Sequence, residues 1–201
     1  MKIIMFIAVV VVAAACNTAT DRAYISEIKA WQDTLNAEFH DPAESPLKPM
    51  DFNAFKSLDF YKIDPKYHIW ARFIRTPGLK PFGMKTTTDR LPVYVKYGEA
   101  YFTVDGVKCK LNIYQNQELI KREGYEDYLF IPFLDKTSGK ESYGGGRYLD
   151  LRIPHGDSIL IDFNKAYNPY CAYNHDYSCP IPPYENTLKV EIRAGVKKFG
   201  H

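Results

Sequence analysis

Surplus charge of either sign is missing from this chain: 26 Lys and Arg stand against 24 Asp and Glu, a formal net charge of +2. Losing Lys2 with the leader described below takes the body to +1 by the same counting. Bulk attraction to a polyanion is thereby excluded, and no nucleic-acid partner is expected. Long apolar runs are missing too. The longest, Ile3 to Ala15, has thirteen residues, short of the roughly 20 that a bilayer-spanning helix needs. Cysteine occurs only four times, and no repeat or low-complexity tract is visible. What is present is an ordinary globular balance of 46% hydrophobic and 25% charged residues. The 201 residues less the first 15 leave 186, enough to bury a core without staples. Aromatic residues reach 15%, a surplus that suits strands.

Residues 1–15 read as a signal peptide, with Lys2 as a positive n-region and the thirteen-residue run as its h-region. Ala13-Ala14-Ala15-Cys16 resembles the bacterial lipobox: small side chains admit the peptidase, and the thiol carries diacylglycerol. Two palmitate-type chains plus an N-acyl group exceed the two-signal threshold for stable anchoring. The sequence therefore predicts a lipoprotein acylated at Cys16, held in the cell envelope on a periplasmic or outer-surface face. The alternative is a plain signal peptide cut after Ala15.

Residues 16–50 form a tether, a helix and a proline-rich loop. Tyr24, Ile28, Trp31, Leu35 and Phe39 recur at intervals of three and four, one face of an amphipathic helix. Thr20 or Asp21 is its cap, and Asp41-Pro42 its stop. Residues 51–201 then read as a β-rich domain with period-two segments at 67–74, 93–97, 100–104, 107–114, 128–134, 147–153, 158–163 and 187–193. Gly98-Glu99 reads as a break between strands, and Asp105-Gly106 as a type I′ hairpin turn. Pro154-His155-Gly156-Asp157 reads as a hairpin joining the two segments around it. The fold class is mainly β: an antiparallel β-sandwich or β-barrel with one N-terminal helix across an open end.

The run from Ser142 to Asn186, with Gly145-Gly146-Arg147, Asp162, Asn164, Tyr167-Asn168-Pro169, Cys171, Cys179-Pro180, Pro182 and Glu185-Asn186, resembles a bacterial and archaeal family called domain of unknown function 1684. The resemblance implies a region and a residue pattern, with no activity attached.

The loop from Asp162 to Asn186 is stiffened by prolines, and a loop of that length is usually functional when it is ordered. Arg147, Asp162, Asn164, Tyr167, Asn168, Tyr173, Glu185 and Asn186 are its candidate ligand contacts, suited to polar rings such as sugars. The competing reading is a barrel cap whose Asn and Asp side chains bond the loop's own backbone. An envelope hydrolase acting through Arg147 and Asp162 is a further alternative. Asp150 and Asp162 could be paired carboxylates of a glycosidase, which separation would decide. In an exported protein Cys171 and Cys179 most simply form a disulfide, contributing on the order of 2–3 kcal/mol. Free thiols are the alternative, and so is Cys171 as a nucleophile with His175 as base. Cys171, His175 and Cys179 are spaced C-x3-H-x3-C, and Cys109 could complete a zinc site. Cys109 otherwise reads as a core residue, inward with Val107 and Leu111. Gly144-Gly145-Gly146 lacks the setting of a phosphate loop and reads as a tight turn into a strand. No cofactor is indicated.

Overall fold

The computed structural model describes residues 4–200, and side chains from Asp21 onward. The acylation expected on the Cys16 side chain therefore lies outside the described side chains. Helix α1 runs Ile4–His40, so Thr20 and Asp21 lie inside it rather than capping it. Once a turn exists, each added residue gains a backbone bond at little further cost. Among the described residues no helix is long and apolar enough to cross a membrane. The expected apolar stripe faces the domain: Ile28 and Phe39 are buried, and Tyr24, Trp31 and Leu35 partly so. A six-residue helix, α2 (Pro49–Ala54), occupies the proline-rich stretch, with a proline starting its first turn, where the missing N–H costs nothing.

Seven strands follow: β1 (His68–Arg75), β2 (Phe82–Gly83), β3 (Val93–Val104), β4 (Val107–Asn116), β5 (Tyr128–Phe133), β6 (Arg147–Arg152) and β7 (Ser158–Asp162). They form one antiparallel sheet in the order β6-β5-β4-β3-β1-β7, with β2 beside β3. The sheet curls into a half-barrel. Its inner face packs Phe73, Phe102, Leu111, Ile131, Leu149 and Ile161 among others into the main core.

Three strand-level expectations change. Gly98-Glu99 does not end a strand: β3 continues through a bulge between Lys96 and Gly98. Glycine is required there because a Cβ on Gly98 would meet the Phe73 ring at 2.4 Å. Asp105-Gly106 is the expected hairpin, both residues having positive φ. Secondly, β6 and β7 are not a hairpin. They are the two edge strands, because β7 pairs with β1 from His68↔Asp162 to Arg72↔Ser158. The turn-rich segment between them spans the seam of the half-barrel.

The third change concerns 187–193, which is not a strand. The alternation holds, since Leu188, Val190, Ile192, Ala194 and Val196 are all buried. The hydrogen-bond partners, however, are mostly irregular backbone and side chains. Leu188 N–H donates to the Leu134 carbonyl and Ile192 N–H to Asp135 Oδ1. Arg147 donates to the Ile192, Ala194 and Val196 carbonyls. A guanidinium here replaces a neighbouring strand.

Candidate functional site

Most of the polar residues singled out by the sequence hold the architecture. Arg147 is completely buried. Besides the three carbonyls above, it pairs with Asp135 Oδ2 at 2.8 Å, where that side chain is equally buried. Its carboxylate partner is thus Asp135. Asn186 is fully buried as well. Its amide nitrogen donates to the Asn112 and Pro132 carbonyls at 2.9 and 2.8 Å, and its oxygen accepts from Asn112 N–H. It splices β4 to β5 where the two strands share a single register pair. Asn168 donates to the Lys197 carbonyl and to Tyr173 OH, and Tyr173 packs edge-on against Phe39 of α1. Glu185 is exposed.

Asp162 and Asn164 fasten α1 to the sheet. Asp162 accepts from Tyr24 OH at 2.8 Å and from Asn164 N–H, and lies 3.2 Å from His68 Nδ1. Asn164 donates to Tyr24 OH and to the Asp64 carbonyl. Lys165 adds an ion pair to Glu27 at 2.7 Å. Burial and the Asp162 carboxylate both push the Tyr24 phenol up, so it remains a donor.

Among the expected ligand contacts, only Tyr167 lines the groove that best fits a ligand site. This groove encloses about 500 Å³, within the usual range for small-molecule sites. Its first wall is α1, through Trp31, Leu35 and Glu38. Its floor is the outer face of the sheet, where Tyr94, Phe130 and Tyr148 pack on one another. Alternation puts them there: Tyr148 and Asp150 point outward from β6, while Arg147, Leu149 and Leu151 point inward. The second wall is the long loop, from Tyr167 through Tyr170 and Tyr177 to Pro180. Two backbone hydrogen bonds between Tyr167 and Tyr148 seat that loop along the β6 edge.

Asp150 is the chemical centre of the groove. Tyr128 and Tyr167 both donate to its Oδ1, each at 2.7 Å, which leaves Oδ2 unused by either. Burial among the rings raises its carboxyl above the ordinary value, opposed by the two phenols and by Arg152. The Tyr128 and Tyr167 phenols are raised well beyond their usual range, first by burial and then by the adjacent carboxylate. They stay protonated and donating. Burial also raises Tyr170, and the fields of Glu38, Glu44 and Asp150 raise it further. Sequence reasoning considered Asp150 only as one of a carboxylate pair with Asp162. Both line a second groove of about 620 Å³ at the β6–β7 seam, where Asp162 is committed to Tyr24, Asn164 and His68.

Cys171 and Cys179 come together, but as free, buried thiols and not as the disulfide the sequence led one to expect. Cys171 N–H donates to Cys179 Sγ at 3.2 Å, and Tyr143 OH lies 3.8 Å from Cys171 Sγ. A hydrogen bond from Cys179 holds the Cys171 thiol below its ordinary value against the effect of burial. His175 is exposed whereas Cys171 is buried. Cys109 sits apart in the barrel core. The four sequence-suggested zinc ligands are therefore not gathered, and among the described residues no group of three His, Cys, Asp or Glu could hold a metal ion. The glycine run is the expected tight turn, with Gly146 at φ 90° directly before β6.

No curated protein matches this sequence. Among solved structures, the chain is similar to the solution NMR structure of an uncharacterised protein of Haloarcula marismortui. The two share 31% identity over 89% of this chain and 96% of the other, with a TM-score of 0.69. That alignment supports the curled antiparallel sheet with its N-terminal helix as a shared fold. The model of the family described as protein of unknown function (DUF1684) matches residues 53–197, so this chain belongs to that family.

Proposed function

We propose that the protein is a non-enzymatic ligand-binding module, lipid-anchored through Cys16 at the cell envelope, with the groove between α1, the outer sheet face and the 162–186 loop as its working site. The observation that carries this reading is the groove itself: about 500 Å³ lined by aromatic rings around the Asp150 carboxylate, with Glu38 on the helix wall. A few convergent polar groups in an apolar cleft are what small-molecule sites generally present. The anchor rests on the short apolar leader ending in Ala13-Ala14-Ala15-Cys16. The hydrolase alternative is disfavoured because Arg147 is wholly buried and both it and Asp162 are engaged by structural partners.

Trp31 lines the groove and Trp70, the only other tryptophan, does not. In the full chain carrying Trp70→Phe, a groove ligand should therefore change Trp31 fluorescence saturably and raise the melting temperature by mass action. No response across a panel of glycans, lipids, peptides and amines would leave a structural role instead. Intact mass of membrane-extracted protein should show diacylglyceryl and N-acyl groups on Cys16, whereas an unmodified Met1 terminus would overturn the anchor. The same measurement before and after reduction reports whether Cys171 and Cys179 are bridged.

A further inference from the structure

We infer that the groove takes a small organic cation, an amine or quaternary ammonium group seated among the rings against Asp150. This deepens the binding reading above and rests on it. The first support is charge. Among the described residues the groove lining carries two carboxylates, Asp150 and Glu38, and no Lys, Arg or His. The nearby guanidiniums are engaged elsewhere: Arg90 holds Ser178 Oγ and the Ser178 carbonyl at 3.1 and 2.7 Å, and Arg152 holds Asp127 at 2.6 Å.

The second support is the rings. Aromatic faces carry negative electrostatic potential, and a cation sheltered among several of them is stabilised most when it is also desolvated. Trp31, Tyr167, Tyr170 and Tyr177 are partly open to the groove over a floor of Tyr94, Phe130 and Tyr148. Quaternary ammonium groups are recognised by such surrounds without needing directional bonds.

The third support separates a cation from a neutral sugar. A sugar asks for donors as well as acceptors. Here Tyr167 gives its proton to Asp150, Tyr148 to the Pro180 carbonyl, Thr34 to the Ala30 carbonyl, and Ser178 to Thr86, so the donors still open are those of the Trp31, Tyr170 and Tyr177 rings and none lies on Asp150 itself. Asp150 Oδ2 remains as an acceptor that neither phenol uses, on a side chain open to solvent. A cationic ligand gains a charge-assisted contact there; a neutral polyol gains only an ordinary hydrogen bond.

The test uses the full chain with Trp70→Phe and three probes read by Trp31 fluorescence: choline, its uncharged isostere 3,3-dimethylbutanol, and a neutral disaccharide. Choline should bind saturably and about tenfold or more tighter than the isostere. Asp150→Asn should remove that preference while leaving binding of the isostere, and Glu38→Gln, on the exposed helix face, should reduce it less. Should Asp150→Asn fail to fold, pH on the unmutated groove decides the same point. The groups facing Asp150 are the Tyr94, Tyr128, Tyr167 and Tyr170 phenols, which stay neutral, and the Arg152 guanidinium, which stays charged, with Glu38 across the groove. Choline affinity should therefore fall as pH drops through the raised Asp150 range, while isostere affinity stays flat. Equal binding of choline and the isostere, a pH-independent choline affinity, or binding of the disaccharide alone would overturn the cation assignment and leave the groove reading standing. No binding of any probe would overturn both.

Discussion

Arg147 and Asp150 lie three residues apart on β6 and face opposite sides of it, and the same strand uses charge in two different ways. Inward, the guanidinium is wholly buried, paired with Asp135, and spent on three carbonyls of the C-terminal segment. Outward, the carboxylate keeps one oxygen free of its two tyrosine donors at the floor of a groove. A buried charge whose terminal donors serve backbone carbonyls and a buried carboxylate is a construction element, closed off from any ligand. A carboxylate with capacity to spare, beside a cavity of drug-sized volume, is the group able to meet something from outside.

The largest effect should come from the interior. Arg147→Ala strands Asp135 and three carbonyls, and breaking one side of a buried pair costs about 3–5 kcal/mol. Urea unfolding should show this loss in full; a loss below about 1 kcal/mol would mean the pair behaves like a surface ion pair. Asn186→Ala should cost less, about 2–3 kcal/mol, through the unpaired Asn112 and Pro132 groups it leaves behind. Asp162→Ala should chiefly loosen α1. Hydrogen exchange should accelerate around Tyr24 and Ile28 while β4 and β5 stay protected, and uniform acceleration would deny that Asp162 is a local fastener.

At Asp150 the sign reverses. Its carboxyl is raised in the folded state, so between the unfolded and folded values the native protein binds the extra proton, and stability falls as pH rises through that window. Asp150→Asn should flatten this limb of the stability–pH curve and cost little at neutral pH. A large loss at neutral pH caused by the substitution would show that the carboxylate is structural after all. The smallest effect expected is that of Trp31→Phe, which keeps an aromatic ring against Phe60. Its stability change should stay within about 0.5 kcal/mol, while the ligand-linked rise in melting temperature shrinks.

Much of the fold was legible. The three-and-four spacing of Tyr24, Ile28, Trp31, Leu35 and Phe39 marks the buried stripe of α1, and Asp105-Gly106 marks its hairpin. Both are local: the pattern and the geometry share the same few residues. The Gly98 bulge was misread as a break because its cause is the Phe73 ring on another strand. The 187–193 segment kept its alternation but lost its strand, since the partner that completes it is a side chain from β6. The site followed the same division. The sequence pointed to the loop that forms one wall of the proposed groove, and within it to Tyr167, but also to Arg147, Asn164 and Asn186, whose buried partners lie far away in sequence. Trp31 and Glu38 carried no signal beyond belonging to a helix.

By itself the sequence determined the elements and the family, because periodicity, turn chemistry and a residue pattern are written in neighbouring positions. Tertiary structure alone decided which polar residues are spent and which remain available. That outcome depends on curling a sheet until its edges meet across a seam, laying a helix beside its outer face, and thereby placing an inward arginine among carbonyls and an outward aspartate among rings.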